Sequence, residues 1–418
     1  MIAADLVVRN ASELCTMNGP AGGGEAAAGI VRDGALAARE GTIVWAGETS
    51  DLAARVELLP GAEVIDASGQ VVTPGLVDPH THLVFAGDRA GEFAARCRGA
   101  GYLEIARAGG GIRATVEATR AASEPELLRL ASARAERLLR QGVTTCEVKT
   151  GYGLSVAAEL RLLRVIGALA ETTPLEIVPT LLALHAPPEA GAARDAFVAR
   201  MAEELLPAAR GRCRMLDAFL EEGAFTAAEV RRLFDAGRRA GFVLRLHADQ
   251  LSAGGGAELA AEYGAASADH LEQLSAAGIA ALARAGTAAV LAPVSTWVLR
   301  LPRYAPARAL LDAGATVALA TNMNPGSAPT ENVALTLGAA CLAYGMEPAE
   351  ALHAATAGAA RALRMEERLG KIVPGQQADL AVFGCPDHRH LASHLGVDHC
   401  RVVVKRGRVA ARSDGLDG

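Results

Sequence analysis

Between residues 67 and 366 the chain repeats one short pattern: an apolar helical stretch, a glycine, then a run with strand character. Gly142 stands before VTTCEVK, Gly241 before FVLRLH, Gly286 before TAAVLAP and Gly314 before ATVALAT. A glycine just past the last helical turn takes the left-handed backbone that ends a helix. Two helices also open on capping signals, Ser123-Glu-Pro-Glu126 with proline in the first turn and Thr226-Ala-Ala-Glu229. Candidate strands begin at Val71, Val143, Glu176, Arg214, Phe242, Ala266, Ala288 and Val317. About eight strands alternating with helices predict an α/β chain folded as a (β/α)8 TIM barrel, with its working groups at the C-terminal strand ends. The competing architecture is an open doubly wound sheet. It would want a GxGxxG or Walker loop after an early strand, and none stands there.

Residues 1–66 and 367–418 follow a different rule. DLVVRN, GALAAREGTIVWAG and AEVIDASGQVV at one end, and GKIVPGQQADLAVFG and CRVVVKRGRVAA at the other, are short strands separated by turns. They predict one small β domain assembled from both ends around a barrel over 67–366.

Composition narrows the function classes. Hydrophobic residues make up 51% and charged residues 21%, so the chain can bury a core. Aromatics are only 4%, which leaves the core to Ala, Leu and Val and removes the stacking platforms of a sugar-handling barrel. Lys and Arg number 41 against 47 Asp and Glu, a net charge of −6, which opposes a nucleic-acid face. No apolar run reaches the ~18–20 residues of a membrane span. Asp5 and Arg9 interrupt what would be a secretory signal. The seven cysteines (15, 97, 146, 213, 341, 385 and 400) are odd in number and form no CxxC. That pattern predicts neither a disulfide framework nor a cysteine-based zinc site, and fits a reducing cytoplasm.

The chemistry sits in the histidines. The first strand runs into VVTPGLVDPHTHLVF, where His80 and His82 are two apart and share one face of an extended chain. That arrangement suits two ligands on one metal. His185 follows the third strand, His247 ends the fifth and His270 ends the sixth, so half of the ten histidines fall on one rim. A second His-x-His, His388 and His390, lies in CPDHRHL with no barrel strand before it. With His394 and His399 it reads as structural or surface histidine, and His353 as a packed helix residue. Polar groups complete a pocket. Arg89 suits a carboxylate clamp, unless it is a surface arginine. Tyr152 in KTGYGL suits a ligand contact, and Gln250 suits reading a polar ring edge. Asn324, Gly326 and Ser327 of NPGS offer donors or simply form a turn. Glu147, Lys149 and Glu221 read as supporting ion pairs near the strand ends.

PGLVDPHTHLVFAGDR, RAGGGI, VKTGYGL, LHADQLSAGGGAELAAEYGAASADHLE, ALATNMNPGSAPT and PGQQADLAVF together resemble the amidohydrolase superfamily and, within it, the imidazolonepropionase family. The motifs span Pro74 to Thr330 and continue into the C-terminal β segment. The resemblance implies one zinc or iron ion held by His80, His82, His247 and the residue at 322. It implies Arg89 on a substrate carboxylate, and Tyr152, His185, Gln250, Asn324, Gly326 and Ser327 lining the site. It places His270, Gln250 and residue 322 in catalysis. The implied reaction is hydrolytic opening of 4-imidazolone-5-propanoate to N-formimidoyl-L-glutamate. A composite β-sandwich, a cytoplasmic location and a homodimer are implied with it. Ring opening needs an activated water and a base, and His270 is the leading base because imidazole titrates near neutrality.

One position departs from the pattern. The family reads ATD before NPGS, and this chain reads ATN, with Asn322. An amide oxygen can coordinate but adds no charge and takes no proton. Three readings stay open here: an imidazolonepropionase that tolerates Asn322, a relative diverged to another cyclic amide or imine, and a protein that binds ligand without turnover.

Overall fold

The computed structural model describes residues 1–99, 110–188 and 192–413. Part of RAGGGI, residues 107–109, lies outside the described residues. The first strands are β1 (Ile2–Cys15), β2 (Ile30–Arg39), β3 (Thr42–Glu48), β4 (Val56–Asp66) and β5 (Val71–Pro74). Eight barrel strands follow: β6 (Leu76–Asp78), β7 (Val143–Lys149), β8 (Glu176–Leu184), β9 (Met215–Leu220), β10 (Val243–Ala248), β11 (Ser267–His270), β12 (Ala288–Leu291) and β13 (Val317–Leu319). The chain ends in β14 (Leu380–Phe383), β15 (Cys400–Lys405) and β16 (Arg408–Arg412).

Strands β6 to β13 pair in sequence order, each parallel to the next, with helices between them. This is the expected barrel. The caps form as read: Ser123 Oγ accepts from the Glu126 amide, and Thr226 and Glu229 make a reciprocal capping box. Gly142, Gly241, Gly286 and Gly314 all have positive φ. The seam between the last and first strands is tied by one side chain, Asp78, and by one backbone bond. Asp78 accepts from the Thr321 amide at 3.2 Å and from its hydroxyl at 2.5 Å, and the His82 amide donates to the Met323 carbonyl at 2.9 Å. Burial pushes the Asp78 carboxyl up to about 7.

One boundary differs from the reading. Val71–Pro74 does not begin the barrel. It pairs with β1 and with β14 in the second sheet, and the barrel begins only at Leu76. The run VVTPGLVD carries no break in hydrophobicity, because both halves are buried; Gly75 is the joint. A Cβ at Gly75 would meet Thr144 Oγ1 at 2.2 Å, so only glycine passes there.

The second sheet has the order β16-β15-β14-β5-β1-β2-β3, with β4 added parallel to β1. Its apolar cluster joins both chain ends: Leu6, Val8, Leu14, Leu36 and Ile43 meet Leu380, Val382 and Val404. The barrel interior holds charge as well as apolar side chains. Arg245 and Lys149 are among its largest fully buried residues. Among the described residues, no helix is long and apolar enough to cross a membrane.

Candidate metal and substrate site

His80 and His82 lie just past the end of β6, on the C-terminal rim. Their ring centroids are 5.3 Å apart, and His247, from β10, lies 4.5 Å from His80 and 5.7 Å from His82. One nitrogen from each of the three falls within 4.8 Å of the others. His270 joins at 5.3 Å from both His80 and His247. Five buried ring nitrogens here have no hydrogen-bond partner: His80 Nε2, His82 Nδ1, both nitrogens of His247, and His270 Nδ1. Burial, with the neighbouring cations and rings, holds His80 and His82 well below their ordinary pKa. They are therefore neutral, the form that ligates a metal. Orphaned imidazole lone pairs are costly unless something fills the space between them. This donor set fits a divalent metal ion.

Behind the histidines stand three carboxylates and two cations. Asp269 takes the Nδ1 of His80 at 2.7 Å, and Asp217 approaches the Nδ1 of His247 at 3.0 Å. Lys149 binds Asp217 and Glu147 at 2.8 Å each, and Arg245 binds Asp269 at 2.9 Å and the Pro79 carbonyl at 2.7 Å. All five charged side chains are fully buried. Burial alone would raise both aspartates. His247 and Lys149 hold Asp217 well below the usual carboxylate range, and Arg245 does the same for Asp269. A carboxylate on Nδ1 fixes the ring and directs its Nε2 at the ion.

The expected pair Glu147–Lys149 is present, but Glu221 makes no ion pair among the described residues. Its carboxylate accepts from the Gln250 amide at 3.1 Å and the Leu251 amide at 2.8 Å, so it shapes the loop that carries Gln250. Asp217, Asp269 and Arg245 were not read from the sequence. Arg245 had a signal: it lies two residues before His247 in an apolar strand, and so on the same face. Asp269 and His270 are adjacent and should face opposite ways. Both reach the site because His270 has φ +87°, which breaks the alternation.

The polar rim assembles from distant segments. Tyr152 lies 5.7 Å from His82 and 5.4 Å from His185, whose ring stacks on His82 at 5.3 Å. Burial pushes His185 and His270 down to about 3, so both are neutral at physiological pH. Glu159, also missed, fixes the KTGYGL loop by accepting from the amides of Gly151, Gly153 and Leu154 at 2.7–2.8 Å. Asn322 is buried with φ +53°, a conformation asparagine tolerates better than most residues. Its carbonyl accepts from Asn324 Nδ2 at 2.7 Å. Asn324 Oδ1 accepts from the Gly326 and Ser327 amides at 2.8 Å each, so those amides serve the turn. Gly326 provides clearance: a Cβ there would meet Arg89 Nη1 at 1.9 Å. Arg89 thus lies against NPGS, with Glu92 as its partner at 2.6 Å and its Nε buried without one. His353 is buried at the end of its helix, and His388 is buried against Glu13.

The comparisons agree with this geometry. Residues 86–411 match the amidohydrolase family. The chain is 54% identical over 416 residues to the imidazolonepropionase of Myxococcus xanthus, covering 99% of this chain and 98% of that one. It is 54% identical over 410 residues to that of Anaeromyxobacter dehalogenans, covering 97% and 96%. Among solved structures, an adenosine deaminase from Xanthomonas campestris with bound zinc superposes with a TM-score of 0.74 at 20% identity, covering 100% of this chain and 95% of the other. The guanine deaminase of E. coli gives 0.69 at 17% identity, covering 98% and 100%. On these matches the chain belongs to the imidazolonepropionase family of amidohydrolases.

Proposed function

We propose that this chain hydrolyses the ring C–N bond of 4-imidazolone-5-propanoate, yielding N-formimidoyl-L-glutamate in histidine degradation. The observation that carries the reading is the convergence on the barrel rim of four imidazoles with orphaned nitrogens, with Arg89 and NPGS beside them. Full-length relatives of that activity support it over a diverged amidohydrolase or a binding protein.

His80, His82, His247 and Asn322 would hold one zinc or iron ion. When bound, such an ion lowers the pKa of water to about 7 and polarises a carbonyl. The remaining work belongs to the chain. Arg89 exchanges Glu92 for the substrate carboxylate, a charge-assisted contact. Tyr152 and His185 wall the ring, Gln250 reads its edge, and Asn324, Gly326 and Ser327 keep Arg89 in place. His270, neutral and with a free Nδ1, accepts the proton of the attacking water and returns it to the leaving nitrogen. Asn322 cannot share that task, which leaves His270 as the base. Because Val71–Pro74 pairs with β1 and β14, we assign the barrel to 76–366 and the second domain to 1–74 with 367–418, in place of the expected division at 66/67, and infer a cytoplasmic homodimer.

The test is a ring-opening assay on the chain beside Asn322→Asp. The parent releases product, and the variant gains up to the ~10²–10⁴ that a second proton acceptor can contribute. Activity present only in Asn322→Asp would overturn the proposal.

A further inference from the structure

A second group of metal-type donors lies in the terminal sheet, away from the barrel rim. Glu13 and Cys15 are two apart near the end of β1 and face the same way. His388 arrives from the loop after β14. One ligand atom each from Glu13, Cys15 and His388 falls within 4.8 Å of the others, and all three residues are buried. Glu13 Oε2 accepts from His388 twice, from the backbone amide at 2.8 Å and from Nδ1 at 2.9 Å. The other ring nitrogen, Nε2, is fully buried and has no hydrogen-bond partner; the carboxylate of Glu25 stands 3.7 Å from it. Glu25 belongs to the short turn Gly24–Ala28 and is half exposed, so it gives this pocket an opening to water.

The arrangement repeats the one at the barrel rim, where His80 gives Nδ1 to Asp269 at 2.7 Å and leaves Nε2 unpartnered. A carboxylate on Nδ1 forces the proton there and leaves Nε2 with a lone pair. That is the grammar of a ligating histidine. Cysteine, histidine and glutamate together suit zinc.

We propose that Cys15 Sγ, His388 Nε2 and Glu25 bind a structural zinc ion, with Glu13 as the positioning residue that orients His388. Binding releases the thiol proton of Cys15 to solvent. The ion would join β1 and the neighbouring 24–28 turn to the loop after β14, at the other end of the chain. The competing explanation is an imidazolium at His388 held between Glu13 and Glu25, with Asp387 at 3.7 Å, and no metal.

Cobalt distinguishes the two, because the barrel-rim donors include no thiol. Full-length protein is stripped of metal and titrated with Co²⁺, reading metal equivalents and thiolate-to-cobalt charge-transfer absorption. Neither readout depends on substrate or on the proposed ring opening. The expected result is a second equivalent with a charge-transfer band. Both are lost in Cys15→Ser and in His388→Gln, while the rim equivalent stays. Glu25→Gln changes a half-exposed side chain and leaves the fold intact; it weakens the second site at least tenfold. If Cys15→Ser does not fold, His388→Gln and Glu25→Gln decide the matter. A single equivalent with no band overturns the proposal, as does a band undiminished in His388→Gln.

Discussion

The molecule carries two His-x-His pairs, and only one is a pair in space. At the barrel rim His80 and His82 follow a strand, keep its alternation and set their rings 5.3 Å apart, facing His247. In the C-terminal loop His388 goes inward to Glu13, while His390 starts a short helix and stacks on His394 at 4.7 Å. Identical spacing therefore yields two candidate ligands from an extended chain and one from a turn. What the sites share is the carboxylate behind the first histidine. What separates them is the number of neighbouring strands that supply more imidazoles.

Removing a rim histidine breaks the comparison most severely. His247→Ala is expected to abolish ring opening, beyond the ~10²–10⁴ cost of losing a general base, and to strip the rim metal. Elemental analysis beside a turnover assay checks it. His270→Gln should cost ~10²–10⁴ in kcat while leaving metal content intact, which separates proton transfer from ligation. Asp269→Asn should weaken rim metal binding by ~10–100-fold in a chelator competition. The matched change Glu13→Gln should leave rim affinity and turnover unmoved, and a fall in either would erase the distinction between the two regions. Arg89→Met should raise KM for the carboxylate-bearing substrate by about tenfold or more, since a hydrogen bond to a charged group contributes ~1.5–3 kcal/mol. An unchanged KM would remove Arg89 from the site.

Much of the barrel was legible because its signals are local. Gly142, Gly241, Gly286 and Gly314 mark helix ends wherever they stand, and Ser123 and Thr226 cap within four residues. His80, His82, His185, His247 and His270 were legible because each sits where a strand stops. What stayed hidden depends on pairing across the barrel. Asp217 and Asp269 read as isolated acids inside strands until β9, β10 and β11 are laid side by side. The turn of His270 to φ +87° has no signature in SADH. The split of VVTPGLVD at Gly75 was hidden for a similar reason: both halves are apolar, and only Thr144 on a neighbouring strand shows where one sheet hands over to the other. His388 looked like its neighbours because burial against Glu13 requires contact across 375 residues.

The Gly75 joint also bears on synthesis. Strand β5 leads directly into the first barrel strand, yet one of its partners is β14, at Leu380–Phe383. Domains emerge from the ribosome N-terminus first, at ~5–20 residues per second. The strand that launches the barrel must therefore wait, with one edge open, until nearly the whole chain has been made. A nascent chain stalled before Leu380 would hold every barrel strand and still lack the neighbour that anchors the first.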